Sequence, residues 1–466
     1  MGLSTKKARK SIGVLLFCLI FTLLFTACSK EADTTESPST ESKVSNTEQG
    51  TEEKPEAVET KNFSNEEVVL KVATPWGEEG FMDRIGKYVE EALPHITFEH
   101  VDYNGTSQQL QENNAKNIVP DILLAYTGQQ PLIDLDMVFP LDEMIQQYNV
   151  DISGIEPTLL ADIRSRDEQG RLIGLPAESS PLALYYNKDI FDMFGITYPT
   201  DSMTWEEVFD LAKKTTGTRD GVQYVGLEFG TGNTELADVP LMQLSMNMTD
   251  PQTGEVLLTK DPNFTEYMDL MKKFYSIPGI YEPGDEASGK NMFMDKQAAM
   301  EINWWGYLSW FPGENEEKLE TIRNMDTLPV PSWSDKKDMS PPMGTHPWVI
   351  NNSSDKKEAA LQVLQYITSK DYQKIFSKKG IPPIYIDQEF LKDYAVEHVL
   401  SEKNNLAYFQ HPFAEPPARK SMWDSQVDLI GSMPKFAESD MNVSEFIRKL
   451  SEESEAKIKT LREQKK

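Results

Sequence analysis

The side chains best suited to chemistry in this sequence are aromatic rings standing near carboxylates, together with one cysteine set among small residues. The chain has 8 Trp, 17 Tyr and 75 Asp plus Glu. A ring can cover the C–H face of a polyhydroxylated solute, while Asp, Glu, Asn and Arg satisfy hydroxyls around its edge. Trp76 with Glu78 two residues later, Tyr126, and Asn233 in the run Gly230-Thr231-Gly232-Asn233 are positions of this kind. Glycine in that last run lets backbone approach a ligand closely.

Catalytic patterns are missing by comparison. There is no nucleophile elbow, no zinc-binding His pair and no glycine-rich phosphate loop. The His residues stand at 95, 100, 346, 398 and 411, and His95 and His100 are five positions apart, the first just after Pro94 and the second in a strand, which is poor metal spacing. No catalytic residue, metal site or cofactor is therefore predicted. The enzymatic alternative is a lipid-anchored glycoside hydrolase, which needs two carboxylates about 5–9.5 Å apart. Product formation separates it from a binder.

The cysteine is Cys28. Lys6-Lys7-Ala8-Arg9-Lys10 precedes a nearly all-apolar run from Ile12 to Phe25, and Phe25-Thr26-Ala27-Cys28 closes it. This is a secretory signal shape, too short for the ~20 residues that span a bilayer. It resembles the lipobox of bacterial lipoproteins, with Phe25 where Leu is usual. The resemblance implies cleavage after residue 27, acylation of Cys28 and a protein tethered to the outer face of the cell membrane. Cys18 leaves with the signal, so the mature chain has neither disulfide nor free thiol. Residues 28–66 are Ser, Thr, Glu, Lys and Pro with few apolar side chains, a composition that cannot form a core. They read as a tether with a coil span of about 35 Å. The formal charge of −29 excludes a basic footprint for nucleic acid.

The elements that must position the rings follow. Val68 to Ala73 reads as a strand, Phe81 to Leu93 as a helix stopped by Pro94, and Ile96 to Val101 as a second strand. Ser107 to Asn117 reads as a polar helix and Asp121 to Ala125 as a third strand. This alternation predicts a parallel, doubly wound α/β sheet with ligand beyond the carboxyl ends of the strands. Trp76 and Tyr126 follow the first and third strands. Ala183 to Asn187, Ala298 to Asn303 and His346 to Ile350 read as further strands, Thr204 to Glu207 as a helix-opening capping box, and Ser444 to Glu463 as a terminal helix. About 400 residues exceed one core, so two lobes are expected.

Several stretches in order carry a resemblance: Pro120-Asp121-Ile122-Leu123, Phe139-Pro140-Leu141-Asp142-Glu143-Met144, Gly170-Arg171-Leu172-Ile173-Gly174-Leu175-Pro176, Leu184-Tyr185-Tyr186-Asn187-Lys188-Asp189-Ile190-Phe191 with Phe194-Gly195-Ile196, Thr204-Trp205-Glu206-Glu207, and Phe293-Met294-Asp295-Lys296-Gln297-Ala298-Ala299-Met300. Asp295 stands where a Gly is usual. From about residue 67 to the end, the chain resembles the family-1 extracellular solute-binding proteins of ABC importers, the maltose-binding-protein-like class.

The resemblance implies an α/β fold of the periplasmic-binding-protein type II, with two α/β lobes, a ligand cleft between them and three hinge crossings near Ala177–Tyr185, Met343–Ile350 and Ile381–Ile386. Lobe 1 is expected from 67–180 plus 346–382, lobe 2 from 181–345 plus 383–466. Carried onto this sequence, the cleft draws further candidates: Glu178 and Ser180 at the first crossing, Trp304 and Trp305 after a lobe-2 strand with one facing ligand and one in the core, Trp348 in the second crossing, and Arg419 and Trp423 in a late helix–loop region. Trp205 and Trp333 are expected to be structural. The implied function is capture of a carbohydrate, an oligosaccharide by its aromatic supply, by a lipid-anchored monomer that delivers it to ABC permease subunits. Two alternatives keep the fold: a cationic solute, since rings also attract cations, and a subunit that presents ligand to a sensor.

Overall fold

The computed structural model describes residues 60–230, 236–281, 291–310 and 316–464. The signal, Cys28, nearly all of the tether and Asn233 lie outside the described residues. Among the described residues no helix is long and apolar enough to cross a membrane.

Two four-stranded sheets organise the chain. The first has the order β10-β3-β1-β2. Its β1 (Val68–Thr74) runs parallel to β2 (Ile96–Asp102), from Val68 opposite Ile96 to Thr74 opposite Asp102. It also runs parallel to β3 (Ile122–Leu124). The doubly wound expectation holds for these three strands. The fourth, β10 (Trp348–Ile350), is antiparallel, because it returns from the other lobe and enters the sheet from the opposite direction.

Alternation along the strands places Leu70, Val72, Ile122 and Trp348 in one core cluster and Ala73, Val101, Leu123 and Val349 in another, so both faces of the sheet are covered. After β1 the chain runs through helix Gly77–Phe81, a π-helical turn Met82–Gly86 and helix Lys87–Ala92, which ends before Pro94. The terminal α-helix spans Val443–Gln464.

The second sheet has the order β7-β8-β4-β9, and a separate hairpin joins β5 (Gly217–Arg219) to β6 (Val222–Tyr224). In the sheet, β4 (Leu182–Asn187) lies antiparallel between β8 (Met300–Trp304) and β9 (Met325–Leu328), and β7 (Glu228–Phe229) pairs parallel with β8. Asn187 ends β4 and caps the next helix, its Oδ1 accepting the Asp189 N–H at 3.1 Å. Thr204 and Glu207 form the expected capping box. Trp205 and Trp333 are buried, with their indole N–H groups donating to Gln243 Oε1 and Pro240 O.

The lobes join where three chain passages lie side by side. Ser180 N donates to Gly344 O at 2.7 Å, and Ser179 N donates to Pro382 O at 3.0 Å. Ile155, Leu159, Met343, Ile384, Tyr385 and Phe390 make a small core of their own there.

Candidate functional site

A cleft of about 1240 Å³ lies in front of these passages. Seven expected residues line it: Trp76, Tyr126, Glu178, Ser180, Trp304, Trp305 and Arg419. The rings come from both lobes by the same local device. β1 leads through Pro75 into Trp76-Gly77 and β8 leads into Trp305-Gly306; both glycines have φ +72°, and a helix starts at Gly77 and directly after Gly306. The left-handed turn, which favours glycine, stops the strand and leaves the preceding ring at its carboxyl end, where open α/β sheets hold ligand.

On the first wall Trp76 sits edge-on to Trp348, ring centroids 5.9 Å apart, and the guanidinium of Arg84 lies 4.6 Å from the Trp76 ring centre. Arg84 is exposed and lines the cleft, so this pile presents N–H donors to the cleft. Beside it is Glu178. Thr345 holds its backbone through a 2.7 Å hydrogen bond from the Thr345 hydroxyl to Glu178 O. Burial pushes the Glu178 carboxyl up from its ordinary value, and the Arg84 charge offsets part of that rise. Tyr126, 45% exposed, stacks on His346 at 5.2 Å. Burial pushes the His346 imidazole down, favouring its neutral form.

On the second wall Trp304 and Trp305 are both half-buried and both line the cleft. The expectation that one of them is core is corrected: the turn at Gly306 brings both to the cleft end of the sheet. Their backbone is held tightly. Trp305 N donates to Pro181 O at 2.9 Å, and the Tyr185 hydroxyl donates to Trp304 O at 2.7 Å.

Ion pairs link the two walls. Lys420 Nζ bonds to Asp162 Oδ1, Lys420 N donates to Ser165 O at 2.8 Å, and Arg419 Nη2 lies 3.3 Å from Glu168 Oε1. Asp162 also takes Arg166 Nε at 3.3 Å. Burial acts to raise the Asp162 carboxyl, but Arg166 and Lys420 overcome it and hold the group below its ordinary value. The first partner set belongs to helix Pro157–Ser165 and the turn after it. Arg419 and Ser421 are fixed to the second lobe by Asn247, whose Nδ2 donates to Arg419 O at 2.7 Å.

Three expected contacts are not on the cleft wall. Trp348 is 3% exposed in the lobe-1 core, because β10 pairs with β3 there; it supports Trp76 from behind. Glu78 is exposed in the first turn of helix Gly77–Phe81 and does not line the cleft. Trp423 packs under Arg462 and close to Gly254, while its neighbours Met422, Asp424 and Ser425 reach the cleft. Arg84, His346, Asp162 and Lys420 are lining residues that sequence reasoning missed. The Arg84 signal was weak because a π-helical turn shifts the helical register by which its direction would be read.

Among the described residues no group of three His, Cys, Asp or Glu side chains is placed to hold a metal ion.

Comparison with known proteins agrees with this architecture. Residues 86–385 match the family of bacterial extracellular solute-binding proteins. An arabinooligosaccharide-binding protein of Halalkalibacterium halodurans is 22% identical over 325 residues, and the match spans 66% of each chain. The sugar-binding protein MalE of Xanthomonas citri superposes with a TM-score of 0.66 at 16% identity, over 85% of this chain and all of that one. An ABC substrate-binding protein of Listeria monocytogenes in complex with cycloalternan superposes with a TM-score of 0.64 at 18% identity, over 84% of this chain and 99% of the other. Both share the two-lobed type II fold. With most of its folded body covered by the family match, the chain belongs to the bacterial extracellular solute-binding proteins.

Proposed function

We propose that this chain captures an oligosaccharide outside the cell and delivers it unchanged to an ABC importer. The observation that carries this reading is a cleft with aromatic rings on both walls and two polar side chains, Arg84 and Glu178, on its lining beside one of them. Rings suit the C–H faces of sugars, and these polar groups suit their hydroxyls. The volume of about 1240 Å³ is above the ~300–1,000 Å³ of ordinary small-ligand pockets. The arabinooligosaccharide-binding relative supports the same class.

In this reading Trp304 and Trp305 form a shelf opposite Tyr126 and Arg84, and lobe closure buries the solute between them. The lobes divide as 67–180 plus 346–382 and 181–345 plus 383–466. The chain is a monomer, anchored through lipid on Cys28, and it meets permease subunits at the membrane. The capture step makes and breaks no bond. A cationic solute is disfavoured because the Arg84 guanidinium already covers Trp76.

Titration calorimetry against arabino-, malto- and manno-oligosaccharides, monosaccharides and polyamines tests this. Saturable heat from one oligosaccharide series, with the sugar recovered intact, is expected. Heat from polyamines alone, or cleavage products, refutes it.

A further inference from the structure

Behind the second wall two carboxyl side chains meet in a dry core. Glu228 on β7 and Glu301 on β8 are direct partners in the parallel ladder, 2% and 0% exposed. Their side chains are in contact. Counting the hydrogens around them assigns their protonation.

The Tyr307 hydroxyl oxygen lies 2.8 Å from Asn291 Oδ1 and 2.8 Å from Glu301 Oε2. Asn291 Oδ1 also accepts the Met294 N–H at 2.9 Å, which identifies it as the amide oxygen. A phenol has one proton and can satisfy only one of those two oxygens. With Tyr307 donating to Asn291, the second contact needs a proton on Glu301 Oε2, donated to the Tyr307 oxygen. The other Glu301 oxygen accepts the Asn303 Nδ2 hydrogen at 2.5 Å, as a carbonyl oxygen does. Glu228 is the opposite case. Its oxygens accept the backbone N–H groups of Phe293 at 3.0 Å and Met292 at 3.4 Å, a set that favours the charged form.

The proton on Glu301 leads directly to the cleft. Glu301 holds Asn303, and Asn303 Oδ1 accepts the Trp304 N–H at 2.8 Å. Glu301 also holds Tyr307, in the turn of helix that follows Trp305 and Gly306. Among the described residues, the remaining titratable groups facing the pair are Asp295 on the turn after Phe293 and Tyr185, opposite Glu301 on β4. Neither supplies positive charge.

We propose that Glu301 is kept as a neutral carboxylic acid and positions the Trp304–Trp305 shelf, so that solute capture requires one buried proton and weakens on the alkaline side. The functional half rests on the reading of that shelf as a solute contact; the protonation half does not. Two charges cannot share this core without loss of packing. Burial agrees with the Glu301 assignment, pushing that carboxyl well above the usual carboxylate range; it also pushes Glu228 up, to about 7, with the Phe293 and Met292 N–H groups opposing the rise.

Three measurements test it. In wild-type protein without solute, the infrared stretch of a protonated carboxyl should persist at about pH 8, above the value of about 7 to which Glu228 is pushed, and vanish there in Glu301→Gln. Its absence from wild type overturns the proposal. Glu301→Gln should keep the wild-type thermal midpoint at about pH 5, since an amide can donate to Tyr307 and accept from Asn303, and it should lose less of it by pH 9. A Gln variant as damaged at pH 5 as Glu301→Ala shows that charge was needed and overturns the proposal. With an oligosaccharide that binds, wild-type affinity should fall by up to about tenfold per pH unit above the titration, as for any one-proton linkage, and Glu301→Gln should be flatter. Equal slopes overturn the positioning role. If no oligosaccharide binds, the first two measurements still decide the protonation, so the two readings fail separately.

Discussion

Lys420→Met is the most informative single change at the cleft, because it removes a charge from the ion pairs joining the two walls while keeping most of the side-chain stem. Asp162 is 9% exposed and Lys420 33% exposed at the side-chain level. Breaking a fully buried pair costs about 3–5 kcal/mol, mostly from the charge left behind. Two features reduce that here. Lys420 is a third open to water, so solvent screens it, and Arg166 remains on Asp162 at 3.3 Å. About 2 kcal/mol is the expected loss, close to a thirtyfold change in an equilibrium. Since Asp162 belongs to the first lobe and Lys420 is fixed to the second, the loss falls on the closed arrangement. Small-angle scattering of the solute-free variant should show a larger radius of gyration than wild type, and apparent solute affinity should drop by up to the same factor. Asp162→Asn should give a similar opening, and the double variant should be less than additive. Unchanged radius and affinity, with the whole cost appearing in urea unfolding, would show that the pair holds a fold element and not the closure.

Trp304→Ala and Trp305→Ala should each weaken oligosaccharide binding by roughly tenfold, about 1.4 kcal/mol, in calorimetry. Trp205→Ala, which empties a fully buried site, should destabilise the fold by ~3–5 kcal/mol in denaturant unfolding and leave affinity nearly intact. Arg84→Lys removes the planar fork from the Trp76 face and should lower affinity without lowering the thermal midpoint. On the acid side, Asp162, Asp167 and Asp326 are all held below their ordinary carboxyl values; burial opposes this and is overcome by Arg166 with Lys420, by Arg171 and by Lys188 respectively. Their stabilisation is full above the unfolded range near pH 4 and is lost as pH falls through the folded values. A thermal midpoint that stays flat from about pH 5 to 2 would contradict this, and Lys420→Met should blunt the fall.

Much of the framework was legible from local sequence. β1, β2 and β3 stand where alternation and breakers put them, Asn187 and Thr204 cap the helices they open, and Trp76 and Tyr126 lie at strand ends that face the cleft. These are short-range effects, set by side chains within a few positions of one another. Trp348 shows where that reach ends. Its ring is as suited to a sugar as that of Trp76, yet pairing of β10 with β3 turns it into the core.

The sequence by itself determined the class of the molecule: strand and helix order, the two-lobed plan, the aromatic supply and the acidic balance, all of which reside in residue types and near-neighbour spacing. Only the tertiary structure decided which rings face the cleft, that Arg84 lies on Trp76, that Lys420 reaches Asp162 across a sequence separation of 258, and that Glu228 and Glu301 meet in the core. Those contacts join segments from distant parts of the chain. Their distances and the water they exclude come into being when the sheets pack, and no local pattern encodes them.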